Sequence, residues 1–160
     1  MTFGIRAASL EDIPQTTLYR ILWLRVRVFV VEQRAAYEEL DGRDIEPGAR
    51  HVWAEEGDEV LGALRVLSEA GRWRIGRVVT APTARGRGVG AELMRRAIDL
   101  CEATDPRRSI VLDAQAHLAD WYGRFGFAVD GDPFTEDAIP HLPMRRPAHS
   151  SSRSASPSSV

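Results

Sequence analysis

The sequence contains no lysine and no asparagine, so all 21 of its basic residues are arginine. A GC-rich genome favours arginine codons over lysine codons, and arginine clusters in such a chain weigh less as evidence for bound phosphate or nucleic acid. The missing lysine excludes a Walker-type phosphate lysine, a Schiff-base lysine for pyridoxal phosphate and a Ser-Lys nucleophile pair. A single cysteine, Cys101, excludes an internal disulfide and a thiolate zinc site, as suits a reducing compartment. No apolar run approaches the length that crosses a bilayer, and Met1 to Leu10 lacks the basic start and apolar stretch of a secretory signal. The expectation is a cytoplasmic protein with no membrane partner. A formal net charge of −2 argues against nucleic acid as a partner, because that function calls for a basic surplus.

What is present is enough for one core and too little for two ordinary domains: 160 residues. The expected division is one globular domain over residues 1–146 and a tail over residues 147–160. The tail is Ser-rich with Pro and Arg, and buries too little apolar surface to offset its ordering entropy, which predicts disorder. Thr2 to Ala8 alternates Phe3, Ile5 and Ala7 as a half-buried strand does. From Leu18 the period changes, and Leu18, Ile21, Leu22, Val26 and Phe29 fall along one helical stripe. Glu38 to Gly48 reads as a loop. His51 to Glu55, Val60 to Leu67 and Arg72 to Thr80 read as strands of an antiparallel meander, broken at Gly57 and Gly71. Val89, Leu93, Ala97, Leu100 and Cys101 recur at helical spacing, which makes Cys101 a small core residue rather than a reactive thiol. Beyond Asp105-Pro106, Ser109 to Leu112 suits a buried strand, Ala116 to Arg124 a helix, and Phe127 to Val129 with Leu142 to Arg145 a closing pair of strands.

The most informative local feature is the turn Arg85-Gly86-Arg87-Gly88-Val89-Gly90 between a strand and a helix. Unpaired N–H groups at a helix start, together with the helix dipole, favour an anion, and glycines let it approach the backbone. The two arginines add bidentate donors suited to a pyrophosphate. A dinucleotide fingerprint requires G-x-G-x-x-G after a strand of a βαβ unit, whereas this turn has G-x-G-x-G after a meander. A plain strand-to-helix connection is the other reading of the turn taken alone.

The turn does not stand alone. It matches the R/Q-x-x-G-x-G/A signature of GNAT acetyltransferases and follows Arg77-Val78-Val79-Thr80-Ala81-Pro82, as the strand and proline of that family do. Downstream, Asp120-Trp121-Tyr122-Gly123-Arg124-Phe125-Gly126-Phe127 resembles the family's second signature, an aromatic-Tyr pair four residues before Gly-Phe. Leu24 to Gln33, the Asp41-Gly42-Arg43-Asp44 loop, His51, Ala114 to His117 and Ile139-Pro140-His141 are similar to its ElaA-type branch. The resemblance runs from about Leu18 to Arg145. It implies an α/β (α+β) fold, with a mixed, mostly antiparallel central sheet flanked by helices, and acetyl transfer from acetyl-CoA to a primary amine of a small molecule or peptide. It is compatible with a homodimer.

The resemblance implies that the main chain at Val78, Val79 and Thr80 pairs with the pantetheine arm and polarises the thioester carbonyl through an N–H. It also implies that the turn (Arg85, Gly86, Arg87, Gly88, Val89 and Gly90) takes the pyrophosphate. Tyr122 is the expected general acid, since a phenol with a pKa near 10 can protonate a departing thiolate; the competing reading is a packed core tyrosine. A base must take the proton of the attacking amine, and Glu32, His51 and His117 are candidates by residue type, each also readable as structural. The acidic loop residues Glu38, Glu39, Asp41 and Asp44 either draw a cationic substrate, with Asp41 and Asp44 as binding residues, or form a solvated charge run. His51, His117 and His141 lack metal-ligand spacing, so no metal is expected. Two other activities fit parts of the sequence. Arg25, Phe29, Asp41 and Asp44 resemble acyl-homoserine-lactone synthases, and the turn alone suits a non-catalytic acyl-CoA sensor or interaction module.

Overall fold

The computed structural model describes residues 2–148. Residues 149–160, which hold His149 and most of the Ser-rich tail, lie outside the described residues. Eight strands form one sheet in the order β1-β2-β3-β4-β5-β8-β6, with β7 paired to β8. They are β1 (Gly4–Ala8), β2 (Arg50–Glu56), β3 (Glu59–Glu69), β4 (Arg72–Thr80), β5 (Ser109–Gln115), β6 (Ala128–Val129), β7 (Phe134–Glu136) and β8 (Ile139–Arg146). The helices are α1 (Gln15–Val26), α2 (Val89–Thr104) and α3 (Ala119–Gly123). The β4–β5 pair is parallel, while β1–β2, β2–β3, β5–β8, β6–β8 and β7–β8 are antiparallel, as expected for a mixed, mostly antiparallel sheet. The described residues divide into two compact units, residues 2–68 with Ile75–Ala97 and Glu69–Arg74 with residues 98–148, and the division falls inside β4 and inside α2.

In the first unit, β2 and β3 join through the two-residue turn Gly57-Asp58, where Gly57 takes φ +60°, and the ladder closes at Glu56↔Glu59. Positive φ at that position matches the strand twist, as short hairpins require. Val60 through Leu67 are all buried, so β3 is covered on both faces and its apolar run is nearly continuous rather than alternating. Gly62 is the point of closest approach. A Cβ there would meet the Val79 carbonyl at 2.9 Å, Val89 Cγ1 at 2.9 Å and Leu93 Cδ1 at 3.1 Å, so only glycine admits both β4 and the start of α2 against β3.

The long N-terminal helix differs from the sequence expectation in phase. After α1 the chain winds six residues, Arg27–Glu32, in π-helical turns, with Gln33 N donating to Val28 O at 3.1 Å. Val28 is buried and Phe29 only partly so, because the buried face runs at i, i+3, i+4 and i+7 from Ile21 through the charged Arg25. The buried line is Ile21, Leu24, Arg25 and Val28, with a charged residue among the apolar ones.

The second unit centres on β5, whose Ile110, Leu112 and Ala114 are buried, as are Cys101, Phe127 and Met144, with Leu112 opposite Met144 in the β5–β8 ladder. Burial pushes the Cys101 thiol up to about 12, and it stays a protonated core group. The helix expected over Ala116 to Arg124 starts as one tight turn, Ala116–Leu118, before α3. The expected closing pair is present as β6 with β8, and β7 is an added strand. Its hairpin to β8 turns on Asp137 and Ala138, with φ of +50° and +64°.

Candidate active site

In the first unit β4 ends at Thr80, Ala81 N donates to Leu61 O at 2.8 Å, and a single tight turn, Pro82–Ala84, leads to Arg85. Gly86 and Gly88 lie in the left-handed region at φ +86° and +81°, and a Cβ on either would meet open space. Glycine is therefore required by the backbone conformation rather than by crowding. The helix α2 begins at Val89, so Gly90 sits inside its first turn and the flexible part of the motif is shorter than the sequence suggests. Glu92 N is the first to bond back, to Gly88 O at 3.1 Å, which leaves the N–H groups of Val89, Gly90 and Ala91 outside the helix's own ladder. Val89 anchors the turn with its buried side chain, while Arg85 and Arg87 are exposed.

Both arginines of the turn carry a glutamate. Arg85 grips Glu32 through two bonds of 2.9 Å each, and Arg87 meets Glu56 at 3.1 and 3.2 Å. These hydrogen bonds hold the Glu32 and Glu56 carboxyls below their ordinary values. Just before the turn, Val79 is buried and Val78 and Thr80 are partly exposed. Arg77 precedes them at φ +53°.

The acidic loop is not a solvated charge run. Glu39 and Asp44 are buried, and so are Arg25 and Arg65. Arg25 donates from Nε to Glu39 Oε2 at 2.8 Å and from Nη1 and Nη2 to Asp44 at 2.7 and 3.3 Å. Arg65 grips Asp41 through two bonds of 2.9 Å and also reaches Asp44 Oδ1 at 3.3 Å. Arg77 Nε stands 2.7 Å from Glu39 Oε2, and its Nη2 donates to Asp41 Oδ2 at 3.2 Å. Three arginines thus face three carboxylates. Asp41 and Asp44, expected as binding residues for a cation, have arginine partners on every carboxylate oxygen. The Arg65 hydrogen bond pulls the Asp41 carboxyl far below its usual range. Burial opposes ionisation of Asp44, yet the Arg25 hydrogen bond and the Arg25 and Arg65 charges outweigh it and keep its carboxyl low.

The three candidate bases differ in setting. His51 is 1% exposed, with Nε2 at 3.3 Å from Asp44 O, and its burial lowers its pKa despite the nearby Asp44. Glu32 is exposed and paired to Arg85, and His117 is exposed in the tight turn before α3. The setting of His51 gives stability a pH dependence of definite sign. Its folded pKa lies below the ordinary 6.5, so on acidification the unfolded chain takes up a proton before the folded one does. Stability is therefore full above about pH 6.5 and falls as pH drops below it. His51→Gln should flatten this slope below about pH 6.5 in urea unfolding curves; an unchanged slope would show that another group titrates.

In the second unit Tyr122 lies on α3, 7% exposed, with Trp121 edge-on at 4.9 Å and Phe127 at 6.4 Å. Burial pushes its phenol up to about 12. Gly126 ends this segment at φ +90°, and Arg146 closes over it, donating to Phe125 O at 2.9 Å. Among the described residues no group of three or more His, Cys, Asp or Glu is placed to hold a metal ion, and no helix is long and apolar enough to cross a membrane.

Sequence reasoning missed Arg65 and Arg77 as partners of the loop. For Arg65 a signal existed: it interrupts the apolar run Val60 to Leu67, and a charge inside a strand buried on both faces requires a counter-charge.

Comparison with known proteins agrees with this geometry. The family model described as an acetyltransferase (GNAT) domain matches residues 12–147. The UPF0039 protein Rv2851c of Mycobacterium tuberculosis is 46% identical over 153 residues, covering 92% of this chain and 95% of that one. Among solved structures, an acyl-CoA N-acyltransferase from Pseudomonas aeruginosa superposes with a TM-score of 0.87 at 39% identity, covering 91% of this chain and 99% of its own. The ElaA protein of Escherichia coli does so with a TM-score of 0.86 at 33% identity and the same coverage.

Proposed function

Because the chain belongs to the GNAT acetyltransferase family, we propose that it transfers an acetyl group from acetyl-CoA to a primary amine of a small molecule or peptide, by direct attack in a ternary complex. The observation that carries the reading is the turn: two left-handed glycines, two exposed guanidiniums and the open N-terminus of α2 in seven residues. That combination suits a pyrophosphate. The main chain at Val78, Val79 and Thr80 is assigned to the pantetheine arm and, through an N–H, to the thioester oxygen.

In the reaction the ammonium first gives up one proton to a base; the neutral nitrogen then bonds to the acetyl carbon and loses a further proton as the carbon–sulfur bond breaks, while the departing thiolate takes up one, so that one proton is released overall. Tyr122 is assigned the proton that reaches sulfur. Glu32 and His117 are the exposed candidates for the base, while the enclosure of His51 favours a structural role for it. Domain and tail are assigned to residues 1–146 and 147–160.

The pairing of the turn's arginines with glutamates makes a prediction. A bound pyrophosphate competes with Glu32 for Arg85 and with Glu56 for Arg87. Exposed ion pairs are weak and screened by salt, so Glu32→Gln or Glu56→Gln should tighten acetyl-CoA binding by no more than about fivefold at low salt, and the gain should fade as salt rises. Calorimetric titration checks it, and weaker binding in both variants would contradict it. The reading itself is tested by incubating the protein with acetyl-CoA and a panel of polyamines, amino acids, aminoglycosides, small amines and peptide N-termini. Release of free CoA that depends on one class of amine is the expected result. Binding of acetyl-CoA without transfer to any of them would favour a sensor.

A further inference from the structure

Arg77 is the one described residue inside β4 in the left-handed region, at φ +53°, three residues before the strand ends at Thr80. A residue with a Cβ adopts that conformation inside a strand only where its surroundings over-determine it. Here the surroundings are the loop carboxylates. The Arg77 guanidinium stands 2.7 Å from Glu39 Oε2, donates from Nη2 to the Glu39 carbonyl at 2.9 Å and to Asp41 Oδ2 at 3.2 Å, and lies 5.4 Å from the centre of the Tyr37 ring. These partners are pinned in turn. Arg25 of α1 holds the same Glu39 oxygen at 2.8 Å, and Arg65 of β3 grips Asp41 through both oxygens. Glu39 is 3% exposed and Arg25 1%, so the chain from α1 and β3 to Arg77 runs largely through buried, charge-assisted bonds.

We infer that Arg77 is a positioning residue: the arginine–carboxylate lattice holds the kink in β4 and so aims the main chain of Val78, Val79 and Thr80 at the acyl-CoA. Its guanidinium turns away into the loop and itself touches no reacting atom. The inference rests on the reading that these three residues receive the thioester arm. It separates two parts of cofactor recognition. The kink governs the pantetheine and thioester end, whereas the turn from Arg85 to Gly90 recognises the pyrophosphate independently of it.

The experiment compares wild type with Arg77→Ala, Arg77→Gly, Arg77→Lys and Asp41→Asn, titrating each with acetyl-CoA and with 3′-phospho-ADP, which lacks the pantetheine arm. Arg77→Ala should lose at least about tenfold in acetyl-CoA affinity and in kcat while binding 3′-phospho-ADP as wild type does. Arg77→Gly should lose less than Arg77→Ala, because glycine takes positive φ freely, and Arg77→Lys should recover part of the loss through its charge. Hydrogen exchange at the Val78, Val79 and Thr80 amides should quicken in Arg77→Ala and Asp41→Asn. A variant that merely weakens the fold would lose both ligands alike. Should Arg77→Ala not fold, Asp41→Asn, at the margin of the lattice, gives the same readouts. Acetyl-CoA affinity, kcat and amide exchange all within twofold of wild type would overturn the inference. A wild-type protein that binds neither ligand would instead overturn the proposed function, and the exchange measurement would still decide whether the lattice holds the kink.

Discussion

Replacing Arg25 by methionine should cost about 3–5 kcal/mol of folding stability, a large part of the total for a domain that folds with about 5–15 kcal/mol. The side chain is 1% exposed and supplies three charge-assisted bonds, one to Glu39 and two to Asp44. Its removal leaves three carboxylates, of which Glu39 and Asp44 are buried, against two arginines. The loss is then mainly the cost of an uncompensated buried charge rather than of the missing contacts. That distinction is testable. The double variant Arg25→Met with Glu39→Gln removes one charge of each sign, leaving Arg65 and Arg77 opposite Asp41 and Asp44, and should be more stable than Arg25→Met alone. Urea unfolding at pH 7 measures both. The wild type should also lose stability on acidification, because the lowered carboxyls of Asp41 and Asp44 contribute stability that is full above their ordinary pKa of about 3.9 and disappears as pH falls through their folded values. A single variant within about 1 kcal/mol of wild type would mean that the lattice is replaceable by apolar packing.

The same lattice shows where a linear reading of the sequence reaches and where it stops. Elements set by local chemistry were legible: the Gly57-Asp58 and Ala70-Gly71 reversals between β2, β3 and β4, the end of β4 before Pro82, and the helical recurrence from Val89 to Cys101. Each depends on residues adjacent in the chain. Features set by distant partners were not. Arg65 is 24 residues from Asp41 and Arg77 is 38 from Glu39, and nothing in either neighbourhood names its counter-ion. The buried face of the first helix passes through the charged Arg25, so an apolar spacing suggested Phe29 where Val28 is buried. The β7–β8 hairpin was missed because Asp137 and Ala138 adopt positive φ without a glycine to announce it. The candidate residues divide in the same way. In the first unit the glycines of the turn and the start of α2 stand in a compact motif, as Tyr122 does in the second, whereas the kink at Arg77 exists only through the three-dimensional arrangement of charges.

Tyr122→Phe should lower kcat by about 10²–10⁴-fold while leaving acetyl-CoA affinity within about twofold. The substitution keeps the ring, and with it the edge-on packing against Trp121 at 4.9 Å and Phe127, so the fold should be unaffected. What it removes is a phenol whose burial has pushed its pKa up to about 12. That value sharpens the assigned role. The hydroxyl keeps its proton throughout the neutral range, as an acid catalyst must. A thiol, however, ionises at about 8.5, so complete transfer from this phenol to a free thiolate is uphill. On this assignment Tyr122 would act by hydrogen-bonding the charge as it develops on sulfur, with full proton delivery following once the amine's protons are released. The expected pH profile follows from the sign of the shift. Loss of the Tyr122 proton cannot produce an alkaline decline in rate until close to pH 12, so any fall between pH 8 and 10 belongs to another group and should persist in the phenylalanine variant. Steady-state kinetics across that range, with circular dichroism as a control for the fold, give both readings. A folded Tyr122→Phe protein turning over at the wild-type rate would leave Tyr122 as a packed core residue and move the acid role elsewhere.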